Sequence, residues 1–268
     1  QAGTTAIALP VRISVSVPAA DYDSQTAIPA WLDKSIAPKP LAAAPSLTKY
    51  IREKFSAPEV TEAFGYSDAA ELEKTADGIK LKTGYLGSAK PQSALKPEEM
   101  KALEAMATRD NLQADGLPVF TLGNDLGAGY AIKYNGSVLK VRHVLKSGKT
   151  SEAVIEGGAV VYPDAHRDTS VVYVMSPGRC QEMLLLKSAE APKQFEYEYS
   201  KEVSLNAKGG IAVDGLTLSR PVIFDAAGRR VNGFYRKTTK NRVQLAFNRT
   251  GLRYPLLIDP TWQASAGS

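Results

Sequence analysis

The sequence predicts an α+β protein: a small N-terminal helical module followed by an antiparallel β-sandwich. Two observations carry this. Residues 46–110 space their apolar side chains three and four apart, whereas from Gly116 onward the period is two. The second region also lacks the helical crossovers that a parallel sheet needs. With 268 residues, 44% hydrophobic and 23% charged, the chain can bury a sizeable core, and its composition is not that of a disordered protein. No run approaches the roughly 18–20 apolar residues that cross a bilayer.

Residues 1–45 read as an N-terminal strand and a linker. Ile7, Leu9, Val11, Ile13, Val15 and Val17 occupy every second position, which gives a strand one apolar face. Pro18, Pro29, Pro38, Pro40 and Pro45 then favour extended backbone, with Trp31 and Leu32 as anchor points. A strand on such a tether is expected either to join the sandwich of its own chain or to complete a neighbour's sheet by strand exchange. The chain starts at Gln1 without Met, as after removal of a signal peptide or in an expressed fragment.

Residues 46–115 read as helical. Ser46 precedes Leu47, Tyr50, Ile51 and Phe55 at helical spacing, and Ser56-Ala-Pro-Glu59 has the pattern of a capping box ahead of Val60 and Phe64. A third helix is expected after Asp68, and a fourth from Pro97, with Glu98 and Glu99 at its start and Met100, Leu103 and Met106 on one face.

Residues 116–262 read as the β-sandwich, with 263–268 as a tail. Turn signals punctuate the short Val-, Tyr-, Phe- and Leu-rich runs: Asn135-Gly136, Ser147-Gly148, Gly157-Gly158, Pro177-Gly178, Lys208-Gly-Gly210, Asp214-Gly215, Ala227-Gly228 and Asn232-Gly233.

The inventory for catalysis is thin. Two histidines, His143 and His166, and one cysteine, Cys180, are present, and no nucleophile elbow accompanies them. Cys180 precedes a hydrophobic strand, where a buried, inert thiol is expected. Glu182, before Met183-Leu-Leu-Leu186, is expected to pair with an arginine. Asp21-Tyr-Asp23 and Asn124-Asp125 lack the spacing of a calcium loop, and Gly123–Gly129 lacks the Lys-Ser/Thr of a phosphate loop. No catalytic residue, cofactor or metal site is assigned.

Charge is uneven. Residues 1–115 hold 13 Lys and Arg against 15 Asp and Glu, residues 116–268 hold 20 against 13, and no acidic residue falls between Asp225 and Asp259. Arg229, Arg230, Arg236, Lys237, Lys240 and Arg242 in that interval either protect strand edges or bind an anionic ligand such as an acidic glycan, in preference to nucleic acid.

VVYPDAHRDTSVVYVMSPGRCQEMLLLKS (160–188), FEYEYS, LSRPVIFDAAGRRV (218–231) and RYPLLIDPTW (253–262) occur in an order that resembles the strand-rich module of large bacterial surface and secreted proteins, as found ahead of the repeats in Rhs/YD-repeat polymorphic toxins. In this reading Tyr162-Pro-Asp164 turns the chain, Asp225-Ala-Ala-Gly228 makes a tight turn, and Asp259-Pro260 ends the last strand. The likeness spans about 116–262, and neither YD repeats nor a toxin domain follow Trp262. It implies a non-enzymatic structural or assembly protein at the cell surface or outside the cell, in a homo-oligomer or with other subunits. The alternatives are an N-terminal fragment of an Rhs-like toxin shell and a binding module for anionic glycans.

Overall fold

The structure is a computed structural model that describes residues 46–82, 117–145 and 150–265. The strand pattern of residues 7–17, the Pro-rich segment, the helix expected from Pro97 and the Ser147-Gly148 turn lie outside the described residues.

Helix α1 spans Leu47–Lys54 and is capped as expected, with Ser46 Oγ accepting from Lys49 N at 3.2 Å. Helix α2 spans Pro58–Ala69 with proline in its first turn. The capping box does not form, because the cap position falls on Ala57, whose side chain has no oxygen to offer. Asp68 lies in the last turn of α2, and the third helix expected after it is replaced by a hairpin of β1 (Leu72–Thr75) and β2 (Gly78–Leu81). Gly78 explains the difference: at φ +136° it brings β2 so close to the next strand that a Cβ there would lie 2.3 Å from Leu122 O.

The following strands are β3 (Val119–Leu122), β4 (Tyr130–Tyr134), β5 (Ser137–His143), β6 (Val154–Glu156), β7 (Ala159–His166), β8 (Thr169–Ser176), β9 (Arg179–Leu186), β10 (Gln194–Tyr199), β11 (Ser204–Leu205), β12 (Ile211–Val213), β13 (Leu216–Leu218), β14 (Val222–Asp225), β15 (Arg230–Asn232), β16 (Phe234–Lys237), β17 (Arg242–Ala246), β18 (Leu256–Asp259) and β19 (Thr261–Ala264). Their pairings are antiparallel and build two sheets. The first has the order β1-β2-β3-β4-β5-β10-β17-β16. The second runs β11-β12-β13-β19-β9-β18-β14-β15, with β8 also on β9, β7 on β8 and β6 on β7.

Six of the turn signals join neighbouring strands of one sheet: Asn135-Gly136, Gly157-Gly158, Pro177-Gly178, Lys208-Gly-Gly210, Asp214-Gly215 and Ala227-Gly228. Asn232-Gly233 differs, since it carries the chain from β15 in the second sheet to β16 in the first.

Inward residues of the two sheets form one core, which includes Ile132, Val141, Phe195, Tyr197 and Leu245 from the first and Tyr173, Leu184, Ile258 and Trp262 from the second. The helices form a third layer. Ile51, Phe55, Val60, Ala63 and Phe64 pack on Val161, Val172, Val174, Met183, Leu185 and Leu257, the outward residues of the second sheet. The helical segment is therefore docked on the sandwich, and its hairpin extends the first sheet. Glu156, at the end of β6, ties α1 down: its Oε1 accepts from Thr48 N and Thr48 Oγ1 at 2.7 Å each, and from Ser46 Oγ. A carboxylate is favourable there because the first amides of a helix lack partners within it.

Two further expectations are corrected. Tyr162-Pro163-Asp164 lies within β7 as a bulge, with Asp164 at φ 48°, and the chain turns only at Arg167-Asp168. Asp259-Pro260 does not end the last strand. Pro260 lacks an N–H, yet its carbonyl accepts from Glu182 N at 3.0 Å, and the chain continues as β19, which pairs with β9 and β13. Residues 263 and 264 thus belong to a strand and not to a tail. The Asp225–Gly228 turn forms as expected, with Gly228 at φ 78°.

Candidate functional site

The residues with most chemical capacity meet in the middle of the sandwich. Alternation along β9 points Cys180, Glu182 and Leu184 at the first sheet and Gln181, Met183 and Leu185 at the helices. The same rule turns His143 inward from β5, Tyr197 and Tyr199 inward from β10, and Tyr173 inward from β8, directly opposite Glu182. Cys180, Glu182 and Tyr173 have 0–1% of their surface exposed.

Glu182 therefore meets the other sheet and not an arginine. Its Oε1 accepts a 2.6 Å hydrogen bond from Tyr197 Oη and lies 3.4 Å from His143 Nε2. His143 Nε2 is also 3.0 Å from Tyr173 Oη, and its Nδ1 is 3.3 Å from His166 Nε2. Both histidines of the chain thus belong to one network, with His166, half-buried at the end of β7 against Phe195, as its outer end.

Burial sets the electrostatics. It pushes the His166 ring down to about 3, reinforced by His143, so that His166 is neutral at ordinary pH. Burial, and then the neighbouring Glu182, raises the Cys180 thiol and the phenols of Tyr173, Tyr197 and Tyr199, which leaves each in its neutral form. Such a thiol is a poor nucleophile. Glu182 Oε2, Tyr199 Oη and Tyr235 Oη are buried without hydrogen-bond partners. A second tie between the sheets is the 2.7 Å hydrogen bond from Trp262 Nε1 to Tyr130 Oη.

On the helix side of β9, Gln181 Nε2 donates to both oxygens of Asp259 at 2.8 Å. Burial raises the Asp259 carboxyl to about 7 against the pull of Gln181 and Arg179. Asp225 shows the opposite balance. Its oxygens accept from the backbone amides of Ala227, Arg229 and Arg253 and from Arg229 Nε, at 2.8–3.0 Å, and the carboxyl falls to about 2 although burial opposes this.

The basic residues singled out in sequence divide between the sheets. Arg229 and Arg230 flank the β14–β15 turn, paired with Asp225 and Glu59. Arg236, Lys237, Lys240 and Arg242 belong to the β16–β17 hairpin, where Lys237 faces Glu202 at 3.5 Å and Arg242 faces Glu198 at 3.3 Å. The structure thus brings four of the six together and sets Arg229 and Arg230 apart. Sequence reasoning missed the ring of tyrosines around Glu182, whose signal was the alternation of Phe195, Tyr197 and Tyr199.

Comparison of the chain with family models, with curated proteins and with solved structures finds no match. No helix among the described residues is long and apolar enough to cross a membrane.

Proposed function

We propose that the chain is a non-enzymatic structural module of a bacterial surface or secreted assembly, joined to neighbouring copies by strand exchange through Ile7, Leu9, Val11, Ile13, Val15 and Val17. The observation that carries this reading is where the exposed apolar side chains sit. Of the six exposed large apolar side chains among the described residues, Phe234 (50% exposed) lies on β16, Leu205 (44%) on β11, and Val154 (48%) and Ile155 (41%) on β6, each the outermost described strand at its margin of a sheet, while Val138 lies on the inner strand β5 and Leu117 just before β3. Margins of this kind invite a further strand, with main-chain hydrogen bonds for affinity and apolar side chains for register. The inward placement of His143, Cys180 and Glu182 supports the same reading, because their polar atoms face one another and the core.

The test is sedimentation of the intact chain and of a variant lacking residues 1–20. The intact chain should form concentration-dependent oligomers. The truncated chain should be a folded monomer that binds a peptide of residues 1–20 and slows amide exchange along β16, β11 or β6. An intact chain that stays monomeric at all concentrations would overturn the proposal.

A further inference from the structure

The outer face of the first sheet carries a cluster of cations that is not contiguous in sequence. Because Tyr197, Val141 and Val243 point into the core, their neighbours Glu198, Arg142 and Arg242 point outward. These three stand directly opposite one another on β10, β5 and β17. Glu198 Oε2 accepts from Arg142 Nε at 2.9 Å, from Arg142 Nη2 at 2.5 Å and from Arg242 Nη2 at 3.3 Å. One carboxylate oxygen thus fixes two guanidinium groups whose side chains remain 59% and 39% exposed. Around them lie Lys133 on β4, Lys140 on β5 and Arg236 on β16, all exposed.

We propose that this face binds an acidic polysaccharide, with Arg142 and Arg242, held by Glu198, as the clamp for its carboxylates. A guanidinium carries donors in a planar fork that matches a carboxylate, and each of these arginines keeps donors beyond those given to Glu198. Although β5 and β17 are two strands apart, both guanidinium groups converge on the same Glu198 oxygen, so their remaining donors lie side by side and form one site. A chain of uronate sugars carries its carboxylates singly, separated by sugar rings, and can present one of them to this paired site while Lys140 and Arg236 lie on the same face. Phe234, exposed on the same face beside Arg236, offers an apolar surface to a ring. Glu196 and Glu198 lie among the cations, and this interleaving disfavours duplex nucleic acid, with about one charge per 1.7 Å. The proposal does not rest on strand exchange, since Arg142, Glu198 and Arg242 lie on β5, β10 and β17, inside the sheet and not on its edge strand β16.

Binding of the full chain to polygalacturonate is compared with neutral dextran and a single-stranded oligonucleotide, at low and at physiological salt. Polygalacturonate should bind, dextran should not, and salt should weaken the complex. Arg142→Ser/Arg242→Ser should lose about tenfold in affinity, while Lys54→Ser/Lys208→Ser, with the same loss of charge elsewhere, should lose less than about twofold. Arg142→Lys/Arg242→Lys keeps the charge and the fold but removes the forks, and should fall between. Absence of polygalacturonate binding, equal losses in the two serine variants, or tighter binding of the oligonucleotide would overturn the proposal.

Discussion

Tyr197 Oη donates a 2.6 Å hydrogen bond to Glu182 Oε1 across the interface of the two sheets. Both residues are buried, so water cannot replace either partner. Tyr197→Phe should therefore destabilise the protein by about 1–3 kcal/mol, the range for leaving a buried polar group without its partner. Tyr235→Phe should be neutral or stabilising, because the Tyr235 hydroxyl is buried without a partner. In a Glu182→Leu background the effect of Tyr197→Phe should shrink by about 1 kcal/mol or more. Urea unfolding of the variants measures all three, and equal effects for the two tyrosines would contradict the network.

Asp259 makes stability depend on pH in a defined direction. Its folded carboxyl titrates at about 7, above its unfolded value, so the folded state binds the extra proton and stability is lost as pH rises from about 4 to 7. Asp259→Asn keeps an acceptor for Gln181 and removes the ionisation. It should match the parent near pH 4 and exceed it at pH 8 by about 2–4 kcal/mol in denaturant unfolding. A variant equally destabilised at both values would refute this assignment.

The docking of the helices depends on Gly158. At φ 70° its added Cβ would lie 1.8 Å from Ser67 O in α2, a contact with backbone that cannot move aside cheaply. Gly158→Ala should lower stability by about 2 kcal/mol or more and raise amide exchange in α1 and α2 before the sheets. Uniform exchange across the molecule would place the helices in the same cooperative unit as the sandwich core.

The sandwich was legible because turn chemistry is local. Asn135-Gly136 and Asp214-Gly215 adopt positive φ at both residues, which their types allow without strong strain, and each closes a two-residue hairpin. Helix α1 was legible from Ser46 and the spacing of its apolar residues. The β1–β2 hairpin was misread, because Glu71 to Lys74 favour helix locally, and the deciding fact, the approach of Gly78 to Leu122, belongs to the tertiary structure. Glu182 shows a different limit. Its burial could be read from the leucines that follow it, but its partners come from β5 and β10 on the opposite sheet, and only the packing of the sheets brings them within reach.

The claim that the reactive side chains serve the core is tested most directly by the ring resonances of the histidines, followed by NMR from pH 8 to pH 3. With only two histidines in the chain, assignment needs a single substitution. His166 has its folded value depressed to about 3 from an unfolded value near 6.5, so its contribution to stability is complete above pH 6.5 and lost as pH falls toward 3. The His166 ring should stay neutral and its resonances unchanged down to about pH 4. A His166 ring that titrates near 6.5 while the protein remains folded would show that the network is open to water and would contradict the account.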